Sequence, residues 1–345
     1  MRTRARVATT LNGIRLALIL VALVAAVVAS RGRARAQGSA FDLDPDTRVL
    51  APVQYKHVTI FPVVHRPQAA VDRTGYMTLA EGMKRKTVAV AENRQRAQVN
   101  QVSVANNSDQ PLLLLGGEII LGGQQDRIIG KDTLIPPHTE AAVEVYCVEH
   151  GRWSGRREFT AGGALVANKV RGRAKFRSDQ GQVWAQVAKE NAAHGAQNPT
   201  DSYRKVATGA EGQRATKAYR EHFAAALARL PEGKKLVGII AAINGRVTSV
   251  DVFANPALFA AYRERLLDAV ALTAADVPVA AAAPPATAAD VRRFVDEAES
   301  GQEREVTSQR GNRTVEKKAK GVAKSAVMPS APKAKPVYRS YQTME

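Results

Sequence analysis

"KLVGIIAAINGRVTSVDVFA" (residues 235–254) is the stretch with the strongest local structural signal in this sequence. Two runs of β-branched and other apolar residues flank Asn244-Gly245, a dipeptide preferred in two-residue type I′ hairpin turns. The segment therefore predicts two antiparallel strands. "NPALFAAYRERLLDAVAL" (255–272) follows at once, with Asn255 placed as a helix N-cap before a proline. We expect the hairpin to lead directly into a helix.

Strand signals dominate the chain upstream of this hairpin, over residues 50–150, as in the alternating run "KTVAVAE" at 86–92. Helical periodicity replaces them at 178–195 and 216–230. This order differs from the regular strand–helix alternation of a parallel α/β sheet. It predicts an α+β fold, with a mainly antiparallel β-sheet in the N-terminal half and helices packed from the C-terminal half. We expect a single α+β domain over 48–276.

The first 36 residues have the pattern of a signal peptide. They contain seven arginines and no acidic residue, and an apolar run begins at Leu16. A small-residue pattern ends at Ala36, which predicts cleavage before Gln37 and a periplasmic or secreted protein. The alternative is a membrane anchor at 16–30, although this run is shorter than the roughly 20 apolar residues that a spanning helix needs.

The other end, 277–345, begins with the Pro/Ala-rich "VPVAAAAPPATAA" and holds 12 basic and 8 acidic residues. We expect a linker followed by a basic, largely disordered tail, with a short charged helix and a last strand as its only ordered elements. The whole chain has a net charge of +18, and five of its basic residues lie in "NKVRGRAKFR" (168–177). A nucleic acid partner is not expected, because export removes the chain from it and no aromatic platform accompanies these charges.

The glycine-rich stretch "GGEIILGGQQDRIIG" (116–130) matches neither a Walker A loop nor a dinucleotide fingerprint. Two interpretations stay open: a turn that presents backbone amides to a ligand, or a hairpin whose glycines supply positive φ. The second stretch of interest is "VEVYCVEHGRW" (143–153). It contains the only cysteine, Cys147, which strand alternation places beside two valines as a small core residue.

The polar residues of these two stretches form the predicted ligand site. Arginines would supply charge, carboxylates would orient the ligand, and a tryptophan would stack on it. The candidates are Glu118, Gln125, Asp126, Arg127, Glu149, Arg152 and Trp153. No catalytic residue or cofactor is assigned. No metal ligand is predicted either, because no two of the six histidines have the i, i+4 helical spacing.

Seven segments of the chain form one set of motifs: "VTIFP" (58–62), "NNSDQPLLLLGGEIILGGQQDR" (106–127), "IPP" (135–137), "CVEHGRW" (147–153), "QVWAQV" (182–187), "NPTDSY" (198–203) and "GIIAAINGRVTSVDVFANPALF" (238–259). This set resembles the ARG and rhodanese-phosphatase-superfamily-associated protein domain family over residues 48–276. The resemblance implies an uncharacterised domain with an association to ADP-ribose or nucleotide-linked chemistry, and no established catalytic residues. It is a hint by association alone.

Three functional hypotheses follow. The first is an exported domain that binds a small anionic or polar ligand. The second is a hydrolase that uses paired carboxylates among Glu118, Asp126 and Glu149. The third is a non-catalytic envelope or scaffold protein, with membrane contact through the N-terminal segment or the basic tail.

Overall fold

The computed structural model describes residues 40–92, 100–280, 283–331 and 333–344. This part of the chain contains nineteen strands and seven α-helices. The strands of the first half are β1 Phe41–Asp42, β2 Thr47–Val49, β3 Val53–Tyr55, β4 Val58–His65, β5 Met77–Thr78, β6 Val88–Glu92, β7 Gln101–Asn106, β8 Leu112–Leu114, β9 Glu118–Gly122, β10 Arg127–Ile129, β11 Thr133–Ile135, β12 Thr139–Cys147 and β13 Phe159–Leu165. The later strands are β14 Leu236–Ile243, β15 Arg246–Phe253, β16 Gln302–Gln309, β17 Asn312–Lys318, β18 Val322–Pro329 and β19 Tyr338–Thr343. The helices are α1 Leu79–Lys84, α2 Asn168–Gly172, α3 Gln180–Ala193, α4 Arg204–Thr208, α5 Ala210–Arg229, α6 Pro256–Ala275 and α7 Ala288–Glu299, and a π-helical turn, Arg173–Arg177, continues α2.

The predicted hairpin lies in the middle of the largest sheet. β14 and β15 pair antiparallel around Asn244 and Gly245, whose φ values of 48° and 74° suit a type I′ turn. The ten strands follow the order β1-β2-β4-β14-β15-β19-β18-β17-β16, with β3 also paired to β4. A six-stranded sheet has the order β13-β9-β10-β12-β7-β6, and a three-stranded sheet the order β11-β8-β5. Only the β5–β8 pair is parallel among the described strands, so the predicted α+β class is confirmed.

Alternate residues of β14 and β15 point to opposite faces of the ten-stranded sheet. Both faces are apolar, and helices cover both of them. On one face, α6 and α5 contribute Tyr262 and Phe223 to the largest apolar cluster. On the other face, α7 contributes Val291 and Phe294 to a second cluster. α6 begins as the sequence predicted: Asn255 is the N-cap and its side chain accepts the Leu258 N–H at 2.9 Å.

The six-stranded sheet is also buried on both faces. Val143 and Val145 on β12 pack in a cluster with residues of α1 and the small sheet. Tyr146 and Val148 pack in another cluster, with residues of α2, α3 and α4. Cys147 is fully buried, and burial raises the pKa of its thiol. The prediction that it is a small core residue is confirmed.

The prediction of a largely disordered C-terminal tail is wrong. The expected helix and last strand are present as α7 and β19, but three further strands, β16 to β18, lie between them. β19 pairs directly with β15, so the tail completes the ten-stranded sheet next to its central hairpin. Val327 and Tyr338 of the tail are fully buried. The folded region therefore extends well beyond residue 276.

Several basic residues of this tail are paired with carboxylates rather than free, which its composition does not reveal. Lys324 and Lys317 contact the two carboxylate oxygens of Glu299 at 2.6 and 3.1 Å. Lys335 pairs with Asp46 at 2.7 Å, near the first strands. An unpaired basic run would favour an unfolded chain through repulsion. Here the acidic partners come from other elements of the fold, α7 and the loop before β2.

Within the described residues, none of the helices has both the length and the apolar content required to cross a lipid bilayer. The predicted signal peptide at 1–36, its cleavage site and the alternative anchor at 16–30 lie outside those residues.

A network of buried charges holds the two large sheets together through α2 and the π-helical turn. Arg171 donates from Nη1 to Asp251 Oδ1 on β15 at 2.9 Å. Lys175 Nζ lies 2.6 Å from Asp132 Oδ2 and donates to Ser340 Oγ on β19 at 2.6 Å. Both cations are completely buried, so segment 168–177 is not the solvated basic loop that its composition suggests. Although burial opposes ionisation of Asp132, Lys175 and Arg171 keep the pKa of its carboxyl below the ordinary value.

The first glycine pair of the glycine-rich stretch, Gly116 and Gly117, packs against the side chains of Lys175 and Arg171. A Cβ on Gly116 would lie 2.5 Å from Lys175 Cγ, and a Cβ on Gly117 would lie 2.8 Å from Arg171 Cγ. The backbone of Gly116 also takes part in the network, since its carbonyl accepts from Arg171 Nε and its N–H donates to Asp132 Oδ1, each at 2.8 Å. Glycine is therefore required here for close approach.

Replacing one member of this network should destabilise the fold strongly. We expect Lys175→Met to lower the free energy of unfolding by about 3–5 kcal/mol, because it leaves Asp132 as a buried charge without its partner. Urea unfolding measures the change. The matched control is Lys217→Met, which breaks an exposed pair with Glu221 and should cost less than about 1 kcal/mol. Equal effects of the two substitutions would contradict a structural role for the network.

Candidate functional site

The second glycine pair forms the turn of a hairpin between β9 and β10. Gly122 and Gly123 have φ values of 118° and 56°, and a Cβ on Gly123 would lie 2.2 Å from the ring of Phe159. β9 and β10 are antiparallel, with Ile120 opposite Arg127. Of the two interpretations left open by the sequence, the hairpin is confirmed for this turn.

Three of the predicted site residues meet beside this hairpin. Arg152 donates from Nε to Glu149 Oε2 at 2.8 Å and lies 3.3 Å from Asp126 Oδ1. Arg204 on α4 joins them, with Nη2 and Nε 2.8 and 3.0 Å from the two oxygens of Asp126. Thr200 donates its hydroxyl to Glu149 Oε1 at 3.0 Å. We call this group the Asp126 cluster.

The remaining predicted residues lie apart from the Asp126 cluster or contribute little to it. Arg127 is fully buried and pairs with Glu92 at 2.8 Å. Glu118 pairs with Arg265 on α6 at 2.8 Å, in a different part of the domain. Gln125 is buried, and its amide lies near the carbonyl of His150, at 3.4 Å. Trp153 is 57% exposed. The seven candidates therefore do not converge on one open pocket.

The charged side chains among these candidates form ion pairs with other residues of the protein. Glu118 and Asp126 are buried, and each carboxylate faces an arginine. A general acid and base need access to substrate, so this burial counts against the paired-carboxylate hydrolase. Ligand binding by the seven residues stays a prediction.

Two members of the Asp126 cluster, Thr200 and Arg204, were not among the predicted site residues. Thr200 belongs to the "NPTDSY" motif that carried the family resemblance.

An open pocket of about 680 Å³ lies where α6 begins. It is formed by three segments: a loop before β5, the turn before β14, and the first two turns of α6. Leu236 and Phe259 supply apolar surface. The residues that line it are Val71, Asp72, Arg73, Thr74, Gly75, Gly233, Lys234, Leu236, Asn255, Pro256, Ala257, Phe259, Ala260 and Arg263. We call it the α6 pocket.

Positive charge dominates the α6 pocket. Arg73, Lys234 and Arg263 line it, and within the described chain no carboxylate lies within 4.0 Å of any of their side-chain nitrogens. Arg263 Nε is buried without a hydrogen-bond partner. The one acidic residue, Asp72, already accepts from the Tyr76 hydroxyl at 2.5 Å and the Thr74 N–H at 2.8 Å. Burial opposes its ionisation, but these two donors lower the pKa of Asp72.

A third group of polar side chains lies at the far end of α6. His194, the C-cap of α3, places Nε2 3.0 Å from Asp276 Oδ1 and 3.8 Å from Glu190 Oε2. Asp276 is the C-cap of α6. Burial raises the pKa of Glu190. Although burial opposes it, the neighbouring carboxylates raise the pKa of His194 to about 9.

The sequence contained a partial signal for this group. Glu190 and His194 are separated by four residues on a helix, which places both side chains on one face. The spacing of histidines alone does not reveal this pair, because its other member is a glutamate. Asp276 could not be added from sequence, because its proximity depends on how α3 packs against α6.

A family model described as the ARG and Rhodanese-Phosphatase-superfamily-associated Protein domain matches residues 46–341. This range is most of the chain, so the chain belongs to that family, as its motifs indicated. The match runs through the C-terminal strands, in agreement with a folded region that extends past residue 276. No curated protein matches the chain significantly, and no solved structure does.

The Asp126 cluster makes a prediction about pH. Burial opposes the ionisation of Glu149, but Arg152, the Asp126 N–H and Thr200 lower its pKa below 4.5. A lowered folded-state pKa stabilises the fold above the unfolded value, and this contribution is lost as the pH falls through the folded value. We therefore expect Glu149→Gln to lose about 1.5–3 kcal/mol at about pH 7 and much less at about pH 3.

Thermal unfolding of both proteins across this pH range measures the difference. Glu221→Gln is the control, because the Glu221 side chain is 65% exposed, and it should change stability little at either pH. A Glu149→Gln deficit that is the same at both pH values would contradict the prediction.

Proposed function

We propose that this member of the family binds a small anionic ligand in the α6 pocket. The observation that carries the proposal is the set of three cations, Arg73, Lys234 and Arg263, around a cavity in which the described residues provide no ion-pair partner for them. Two other partly exposed basic residues, Arg204 and Lys335, each have a carboxylate partner. Like charges held close together without counterions are unfavourable, and a bound anion relieves this.

The start of α6 adds to this positive potential. The helix macrodipole places partial positive charge at its N-terminus. Pro256 has no N–H, while the Leu258 and Phe259 N–H groups donate to the side chain and carbonyl of Asn255. The Ala257 N–H therefore stays available in the first turn, next to the pocket. A phosphate or carboxylate could accept from it.

The size and surface of the pocket indicate the class of ligand. A volume of about 680 Å³ lies within the range of roughly 300–1,000 Å³ that is usual for small-molecule sites. Leu236 and Phe259 would pack against a ring, and the three cations would hold a phosphorylated group. The family is described by its association with ARG and rhodanese-phosphatase-superfamily proteins. The resemblance found in the sequence links this association to ADP-ribose or other nucleotide-linked chemistry. ADP-ribose is therefore the first compound to test, with inorganic pyrophosphate as the minimal anion.

Substitution of Arg263, the half-buried cation of the pocket, tests the proposal. We expect ADP-ribose to bind the wild-type protein, and Arg263→Ala to weaken it at least tenfold, because about 1.4 kcal/mol of charged contact is lost. Arg263→Lys should retain part of the affinity. Isothermal titration calorimetry at two salt concentrations measures binding, which should weaken at higher salt.

The matched control is Arg214→Ala, which removes a largely exposed arginine of α5. It should bind as the wild type does. Failure of both ADP-ribose and pyrophosphate to bind, or equal affinities of the two alanine variants, would refute an anion site in the α6 pocket.

We also propose that the protein is exported, on the basis of the sequence of residues 1–36 alone. Its basic start, apolar run and small-residue site support cleavage between Ala36 and Gln37. Intact-mass measurement of the protein expressed in a bacterial host, together with fractionation, tests this. Loss of the first 36 residues and recovery from the periplasm are expected. A full-length chain recovered from the membrane would instead support the anchor at 16–30.

A further inference from the structure

We propose that Glu190, His194 and Asp276 bind one divalent transition-metal ion, and that Zn²⁺ is the ion that suits them best. One ligand atom from each side chain lies within 4.8 Å of the other two. Zn²⁺ bonds to nitrogen and oxygen at about 2.0–2.2 Å, so a tetrahedral site holds its ligand atoms about 3.4 Å apart. The separations of Asp276 Oδ1 and Glu190 Oε2 from His194 Nε2, 3.0 and 3.8 Å, lie on either side of that value.

These atoms are close together but do not satisfy one another. His194 Nε2, Glu190 Oε2 and Asp276 Oδ1 are each buried without a hydrogen-bond partner. Glu190 Oε2 lies too far from His194 Nε2 for a hydrogen bond, and the shorter contact of His194 with Asp276 does not have hydrogen-bond angles. The three side chains are only 3%, 0% and 8% exposed. Buried polar atoms are normally hydrogen-bonded, and each exception needs an explanation. Three such atoms around one point are explained by an ion that accepts a lone pair from each.

The surroundings favour a cation. The group lies where α3 and α6 both end, and the C-terminus of a helix carries partial negative charge. Two carboxylates add to this potential at the position where acidic residues are least favourable. Within the described residues no lysine or arginine nitrogen comes within 4.0 Å of either carboxylate. A divalent cation would balance the two carboxylates of Glu190 and Asp276.

The ligand types narrow the choice of ion. One imidazole and two carboxylates suit Zn²⁺, Fe²⁺ or Mn²⁺, whereas Mg²⁺ and Ca²⁺ prefer oxygen ligands alone. Among these three, sites of this kind bind Zn²⁺ most tightly. The side chains are enclosed, so the ion would act by joining the end of α3 to the end of α6. Asp276 lies a whole helix away from the α6 pocket, about 30 Å for its 20 residues, so this site is separate from the proposed anion site.

The first test measures Zn²⁺ binding directly. The protein is stripped with a chelator, dialysed against Zn²⁺ and analysed for bound metal. We expect one Zn²⁺ per wild-type chain, and its loss in Glu190→Gln and in His194→Gln. The control is His138→Gln, which removes an exposed histidine that pairs with Asp109 alone, and it should retain the ion. Equal Zn²⁺ content in all four proteins, or none in the wild type, would overturn the proposal.

A second measurement needs only the wild-type protein, in case the variants do not fold. X-ray absorption of the Zn²⁺-loaded chain should show one imidazole, oxygen ligands otherwise, and no sulfur. The ion should also raise the thermal midpoint, since it binds only the folded state. Two or more imidazoles around the zinc, or an unchanged midpoint at saturating Zn²⁺, would exclude this site.

Discussion

The buried ion pairs of Arg171 and Lys175 are the constraint on which the rest of the fold depends. Two cations of one helical segment enter the interior and are neutralised by Asp251 on the large sheet and Asp132 beside the six-stranded sheet. Each pair costs desolvation energy that only a complete set of partners offsets. The partners belong to separate layers, so these layers must take one relative position. The glycine at 116 follows from the same constraint, because the Lys175 side chain leaves no room for a Cβ.

The helix α6 connects three features that are far apart in sequence. Its first turn opens onto the cationic pocket, its middle carries Arg265 to the buried Glu118, and its end brings Asp276 to the pair on α3. The two ends have opposite partial charges. An anion suits the first end and a cation suits the second, so the two proposed sites follow from the direction of a single helix.

Local signals were sufficient wherever neighbouring residues determine the structure. The hairpin around Asn244, the helix capped by Asn255 and the burial of Cys147 could be predicted because turn preference, capping and strand alternation act within a few residues. The C-terminal strands escaped prediction because lysines such as Lys324 are neutralised by Glu299, an acid from another element. The candidate site was predicted only in part: Asp126, Glu149 and Arg152 do meet, but Glu118 and Arg127 have separate partners.

The sequence by itself determined the family, the α+β class and the elements whose hydrogen bonds and turns are local. The tertiary structure alone decided which charges are free and which are paired. Arg127 and Arg263 are the same residue type, and nothing in the sequence predicts their different surroundings. Arg127 is buried against Glu92, whereas Arg263 lines an open pocket. The reason is physical: the effect of a charge depends on its distance to other charges and to water, and both distances are established only when the sheets and helices pack together.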